Sequence, residues 1–498
     1  MYSQTLYYLL PEIVLLAAAI LVLGAGLVER RPTRAAVPVA QGLVSSAIAG
    51  AGSLISLAAL IALAPRSHPT VDLLGGTFVL DYYAIFFQAI LVVFAIVTIL
   101  LSYRFAERFK PHHSEFVALV LLATVGGMFM ASAREMIQLY VALETLSISL
   151  YVMVAFNKRE QLSSEAGFKY LIVGAASSAV LLYGLAILYG LTGRTDLTQV
   201  ARIVAAGKVS TPGLVVAMLF VIGGLSFKIA AVPFHQWVPD VYQGAPTPVT
   251  AFIAVSSKTA GYALLIRVLT SALLPMSQQW GPYLAAIAAA TMTIGNVTAL
   301  SQTSVKRLLG YSSIAHAGYI VMGVVAVAGS SSTRSLALGA LLFYLLVYGL
   351  TNFAAFGAVE AVEESVGSDD LSALSGLGER SGGLALVLSL AMLSLTGIPP
   401  LIGFFAKFFI FYAAVQAGYA WLALIAVANS ALSAVYYLKV VRAMYLEERP
   451  ARAAPGPVTV GGPLWAALGL GVVAILPLIV FVSPFVNLAR DGADAIFH

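Results

Sequence analysis

The sequence predicts an all-α polytopic membrane protein of about fourteen transmembrane helices, with two inverted five-helix repeats that each contain a broken helix. Three observations carry this. First, 60% of the 498 residues are apolar and only 10% are charged, with a mean hydropathy of +0.94. A soluble domain carries about 25% charge. The 27 Lys and Arg and 22 Asp and Glu cannot cover a water-facing surface on a chain this long. That excludes a soluble enzyme, a nucleic-acid-binding domain and a disordered chain. Second, apolar runs recur at the length of about 20 residues that crosses about 30 Å of hydrocarbon. Third, two of those runs are interrupted by proline.

The start, Met1 to Gln4, lacks the basic region of a cleaved leader, so the first apolar run, 7–28, is expected to be retained as a span. Runs at 39–64 and 80–103 complete three leading helices within 1–110. The first repeat, 111–275, holds runs at 115–131, 134–156, 164–192, 212–232 and 247–271. The second, 276–450, holds 282–300, 304–327, 333–359, 383–417 and 420–446. A last span, 463–488, lies in the segment 451–498. Runs this continuous argue against the alternating strands of a β-barrel. Lys and Arg are twice as frequent on one set of loops (Arg30, Arg31, Arg34, Arg104, Arg108, Lys110, Lys158, Arg159, Lys306, Arg307, Arg380, Arg442, Arg449, Arg452) as on the other (Arg66, Arg134, Arg194, Arg202, Lys208, Arg334, Arg490). The positive-inside rule therefore puts both termini outside. The net charge of +5 is ascribed to cytoplasmic loops facing anionic lipid. Residues 360–380 depart from this, with Glu360, Glu363, Glu364, Asp369, Asp370 and Glu379 against Arg380. They read as a solvated loop or an acidic docking surface.

The first break is Ser226-Phe-Lys-Ile-Ala-Ala-Val-Pro-Phe-His235, the second Leu395-Thr-Gly-Ile-Pro-Pro-Leu-Ile-Gly-Phe-Phe-Ala-Lys407. Proline removes an amide donor and clashes with the preceding turn. Irregular backbone at membrane depth is tolerated only inside protein or beside water. Pro233 and Pro399 are 166 residues apart, close to five spans with their loops. Five is odd, so a second copy enters from the opposite face, the pattern of an inverted-repeat transporter.

Glu144 is read as the one carboxylate deep in a span. Lys169, Lys228, Lys258 and Lys407 also lie within apolar runs. Each such charge costs about 2.5–3.5 kcal/mol at the bilayer centre, so function is the default explanation. An amine out of water releases its proton readily, and a carboxylate brought beside it makes it hold on. A Glu–Lys pair is thus a switch, and further lysines extend it to a relay. Snorkelling to a headgroup is the competing reading for Lys169, Lys439 and Arg267. A structural ion pair is the competing reading for Glu144, Lys228 and Lys258. His316 is read equally as a structural histidine or a relay member.

Cysteine is absent, and the histidines at 68, 112, 113, 235, 316 and 498 show no metal-ligand spacing. No phosphate loop, dinucleotide fingerprint or haem-ligand pair is legible. No bound cofactor is expected in this chain, and the energy for transport must come from a partner or an ion gradient.

The segment Phe234-His-Gln-Trp-Val-Pro-Asp-Val-Tyr-Gln-Gly-Ala-Pro-Thr-Pro-Val-Thr-Ala-Phe252 resembles the antiporter-like subunits of proton-pumping NADH:quinone oxidoreductase, respiratory complex I. Ser256-Ser-Lys-Thr-Ala-Gly-Tyr262 is similar to the subunit N kind rather than to L or M. Glu165-Ala-Gly-Phe-Lys-Tyr170, the run from Lys306 to Tyr319 and the second break add to the resemblance, which covers about residues 10–488. It implies a Glu144–Lys228 pair on the fifth and seventh helices, a relay lysine Lys258, a terminal lysine Lys407, and Lys169 near the pair. It implies neighbours of the M, K and J kinds, and quinone, NADH, FMN and iron–sulfur clusters in other subunits. The Ala-rich composition suggests a bacterial inner membrane, with a photosynthetic membrane as the alternative. Quinone reduction elsewhere would alter the Glu144–Lys228 pairing, with protons entering from the cytoplasm and leaving by Lys407 or by a neighbouring subunit. A subunit of a multisubunit cation/proton antiporter is the alternative. The Val238-Pro-Asp-Val-Tyr242 segment and the setting of Lys258 argue against it.

Overall fold

The computed structural model describes residues 2–29, 40–64, 70–103, 105, 109, 112–448, 458, 460–476 and 496. Arg30, Arg31, Arg34, Arg66, Arg104, Arg108, Lys110, Arg449, Arg452 and Arg490, used above for orientation, lie outside the described residues, as do His68 and His498. The chain forms two compact units.

The first unit comprises 1–229, 256–277 and 491–498. Its helices are α1 (Tyr2–Tyr8), α2 (Leu10–Glu29), α3 (Ala40–Leu63), α4 (Tyr82–Ser102), α5 (His113–Ser132), α6 (Met136–Val154), α7 (Gln161–Thr192), α8 (Leu197–Ala205) and α9 (Thr211–Ile229). Carboxylates cap several of them: Asp81 accepts from the Ala84 amide, Glu135 from Gln138 and Asp196 from Gln199. Missing side chains let two helices approach closely. A Cβ on Gly184 would lie 2.8 Å from the Val221 amide, and one on Gly224 2.6 Å from Leu181 Cβ, so α7 and α9 meet backbone to backbone. One element escapes the all-α expectation, a short antiparallel hairpin of β1 (Val71–Leu73) and β2 (Phe78–Leu80).

The second unit comprises 230–255 and 278–490. It contains α10 (Trp237–Gly244), α11 (Thr247–Phe252), α13 (Ser277–Ala299), α14 (Val305–Val327), α15 (Ser331–Val366), α16 (Leu377–Arg380), α17 (Gly382–Thr396), α18 (Ile402–Gln416), α19 (Ala420–Leu446) and α20 (Gly462–Ile475). α12 (Lys258–Ser271) continues from α11 through a π turn at 253–257.

Eleven helices among the described residues are long and apolar enough to cross a membrane. The run 282–300 corresponds to α13, which is long enough but carries Gln278, Gln279, Thr291, Thr293 and Asn296. The run 383–417 is the two shorter helices α17 and α18, divided at the second break. The last run is α20 as far as Ile475, and 477–488 lie outside the described residues.

Both breaks have one form. A residue in the left-handed region, Ala230 or Gly397, ends the first half, and three positions later comes a proline after a cis bond, Pro233 or Pro400. The acidic stretch 360–380 is only partly a solvated loop: Asp370 and Glu379 are exposed, but the rest is built into the fold. α15 runs through Val366, and Glu360 is fully buried. Glu363 pairs with Lys306 at 3.2 Å and accepts from Thr247, Asp369 accepts from Ser304, and Arg380 is buried and donates to the Ala373 carbonyl. Lys306 and Arg307, counted above as loop charges, are likewise engaged: Lys306 is buried and Arg307 pairs with Asp240 at 2.8 Å.

Candidate functional site

In the first unit, the close contact of Gly126 on α5 with the Leu146 backbone sets α6 in place. Glu144 and Ser147 are one turn apart on α6 and share a face. α9 ends one residue after Lys228, which is 2% exposed. The expected direct Glu144–Lys228 ion pair is absent among the described residues. The Lys228 ammonium donates to Ser147 Oγ at 3.0 Å, and Glu144 Oε1 is buried without a hydrogen-bond partner. Ser147, not Glu144, is therefore the hydrogen-bond partner of the Lys228 ammonium. Tyr151, one turn further, packs edge-on to Tyr170 at 5.0 Å, and Tyr170 contacts Phe227. Gly174 makes this possible, because a Cβ there would lie 2.1 Å from the Tyr151 hydroxyl.

Lys258 opens α12 directly after the π turn and is 1% exposed. One turn along, a Cβ on Gly261 would lie 3.1 Å from Lys228 Cγ. The face of α12 that carries Lys258 and Gly261 is thus the one packed on the Lys228 stem. π turns recur at functional positions, and nothing in the sequence announces this one. Lys169 is half-exposed on α7 and pairs with Glu165 at 2.7 Å.

Arg267 does not snorkel. It is buried, holds Asp81 in a two-point ion pair at 2.6 and 2.9 Å, donates to the Ala131 carbonyl, and lies 4.5 Å over the Tyr83 ring. Glu144 is also not the only carboxylate away from water, since Glu12 on α2 is buried and accepts from Gln88 at 2.8 Å. Lys439 donates to the Gln302 carbonyl at 3.3 Å.

In the second unit, Lys407 lies on α18 and is 5% exposed. It donates to the Thr396 carbonyl and to Ser430 Oγ, both at 2.9 Å, and sits 5.1 Å over the Tyr319 ring. Thr396 is the last residue of α17, so the break itself supplies the carbonyl. His316 on α14 contacts the Tyr344 hydroxyl through Nδ1 at 2.7 Å and the Tyr437 hydroxyl through Nε2 at 3.2 Å. His316 and Lys407 line one cavity with Tyr348, Thr351 and Ser394. Its room is that of about one water molecule. Fixed polar groups and a gap of about one water's size between two titratable side chains would suit stepwise proton transfer.

Residues 133–433 match the family described as NADH:quinone oxidoreductase/Mrp antiporter, TM. The chain is 44% identical to NAD(P)H-quinone oxidoreductase subunit 2 of Thermosynechococcus vestitus, over 88% of this chain and 82% of the relative. It is 32% identical to a chain of respiratory complex I from Thermus thermophilus with bound aureothin, with a TM-score of 0.77, covering 96% of this chain and 99% of that one. A chain of the Mrp complex from Dietzia superposes with a TM-score of 0.81 at 24% identity, covering 100% and 98%, which is a likeness of fold.

Proposed function

The chain belongs to the NADH:quinone oxidoreductase/Mrp antiporter transmembrane family, and from that premise we propose that it moves protons through the membrane arm of a quinone oxidoreductase of the complex I kind. It is a multi-pass membrane subunit of such a complex, with other membrane-arm subunits as partners. We assign the roles as follows. Glu144 is the charge whose movement sets the protonation of Lys228. Ser147 passes protons to and from Lys228, and Lys258 continues the relay. Lys407 is the terminal amine of the second unit, served by His316. Lys169, paired to Glu165, biases the electrostatics of the first site. Neighbours of the M, K and J kinds, the inner membrane as location, external termini and repeats at 111–275 and 276–450 belong to the same reading. Electron donor, flavin, iron–sulfur clusters and quinone reside in other subunits.

One observation carries the proposal. Each helix break has a buried lysine beside it, Lys228 and Lys407, held by neutral oxygens rather than by a permanent counter-ion. An ion pair locks a proton in place; a hydroxyl or a carbonyl supports the charged amine without preventing its loss. The family shares its fold with Mrp chains, but the 44% identity runs to a quinone oxidoreductase subunit.

The test is Glu144→Gln and Lys228→Ala, each in the assembled complex. Quinone-coupled proton translocation should fall by about tenfold or more, the scale of a lost positioned proton carrier. Oxidation of NAD(P)H by an artificial acceptor, which bypasses the membrane arm, should stay near normal. Full pumping in both variants rejects the assigned roles.

A further inference from the structure

We propose that Tyr319, anchored by Asn296, is a positioning residue that seats the charged form of Lys407 on its ring face. The inference rests on the reading of Lys407 as a proton-carrying amine. The second unit holds a buried network of neutral side chains beside this lysine. Asn296 on α13 donates to the Tyr319 hydroxyl at 3.1 Å and to Asn429 Oδ1 at 3.2 Å, and accepts from the Tyr436 hydroxyl at 2.9 Å. Asn296 is fully buried, and Asn429 immediately precedes Ser430, which accepts from Lys407. The network therefore anchors the ring of Tyr319, one of the three partners of Lys407, and also holds Asn429, the residue before Ser430.

Tyr319 also touches both His316 and Lys407. It lies one turn after His316 on α14, their rings meet edge-on at 5.6 Å, and the Lys407 ammonium is 5.1 Å over the Tyr319 ring. All three partners of Lys407 are uncharged, so the quadrupole of the ring is a substantial share of what supports the ammonium there. Such a contact is strongest when desolvated. A ring face acts on the charged amine and is indifferent to the neutral one, so its loss changes the balance between the two states of Lys407. The hydroxyl of Tyr319 serves a different purpose. It ties the ring to Asn296 and holds the face square to the lysine.

The experiment compares Tyr319→Phe, Tyr319→Leu, Asn296→Leu and the double variant Tyr319→Phe/Asn296→Leu, with Lys407→Met as reference, in the full complex. Assembly is checked by oxidation of NAD(P)H with an artificial acceptor, and pumping is measured across a pH series. Tyr319→Leu should lose about tenfold or more of coupled pumping, the order of a desolvated cation–π contact. Its pH profile should move, which loss of packing alone would not cause. Tyr319→Phe keeps the face and should rescue most of the loss. Asn296→Leu removes the same anchor together with the Asn429 and Tyr436 contacts, so it should lose at least as much as Tyr319→Phe, and the double variant should be no worse than Asn296→Leu. Equal failure of Tyr319→Phe and Tyr319→Leu would show the hydroxyl to be the working part and overturn the proposal. Additive loss in the double variant, or an unmoved pH profile in Tyr319→Leu, would overturn it as well. If Lys407→Met abolishes pumping while Tyr319→Leu keeps it, only this inference falls. If Lys407→Met itself pumps, the role assigned to Lys407 falls first.

Discussion

At the scale of single residues, the described chain separates two kinds of buried charge. Arg267 is saturated: it has a two-point carboxylate, a backbone carbonyl and a ring face. The hydrogen bonds of Lys228 and Lys407 go to neutral partners alone. The first arrangement holds structure, the second leaves a proton free to move. Removing one side of the saturated pair strands the other. Asp81→Asn should therefore destabilise the assembled subunit by about 3–5 kcal/mol, seen as a lower melting temperature of the complex. Asp72→Asn, on the exposed side of an Arg134 pair, should cost about 1 kcal/mol or less. Equal losses would refute the distinction. The sequence showed some of the abnormal charges, because a Glu or Lys inside an apolar run stands out on composition alone. It missed buried Glu12 and Glu360 near the ends of their helices. It did not show which are paired, because Asp81 and Arg267 are 186 residues apart and Asp81 precedes its helix. Ser147, the direct partner of Lys228, was invisible for a simpler reason: a serine in a membrane helix usually bonds its own backbone, as Ser147 also does to the Leu143 carbonyl.

At the scale of elements, proline made both breaks legible, while their depth of packing was not. The second break needs Gly403. A Cβ there would lie 1.9 Å from the Ser394 carbonyl oxygen, backbone that cannot yield. Gly403→Ala should push α18 off α17, part Lys407 from Thr396, and abolish assembly or pumping. Gly382→Ala, at a helical position with open space around its Cβ, should leave both intact. Assembly measured for the two variants checks the contrast, and a functional Gly403→Ala would mean that the break does not depend on this approach. The hairpin at 71–80 had a signal that composition drowned, namely Gly75-Gly76 between short apolar runs. The π turn before Lys258 had none, because a one-residue widening of a helix leaves hydrophobic periodicity almost unchanged.

At the scale of the whole molecule, membrane helices show which surfaces lipid can cover. Much of the exposed apolar surface needs nothing more than acyl chains. The side of α6 beside Glu144 exposes Ile137, Val141, Ile148 and Val152. α7 is different: among exposed Leu162, Phe168 and Ile172 it carries the half-exposed Glu165–Lys169 pair, and Lys169 lies two turns into the helix. Charges at that depth are costly against hydrocarbon and cheap against a polar protein surface. Since the family works as one subunit among several, this face is expected to be covered by a neighbouring membrane-arm subunit. Glu165→Leu/Lys169→Leu then has opposite effects on two measurements. The isolated chain in a bilayer should keep or gain stability, because two polar groups leave the lipid. The complex should assemble less well, with a several-fold loss of co-purified neighbours, because a polar contact has been replaced by an apolar one. Unchanged assembly with a more stable isolated chain would show that the face meets lipid, with the pair snorkelling to a headgroup, and that the neighbour docks elsewhere.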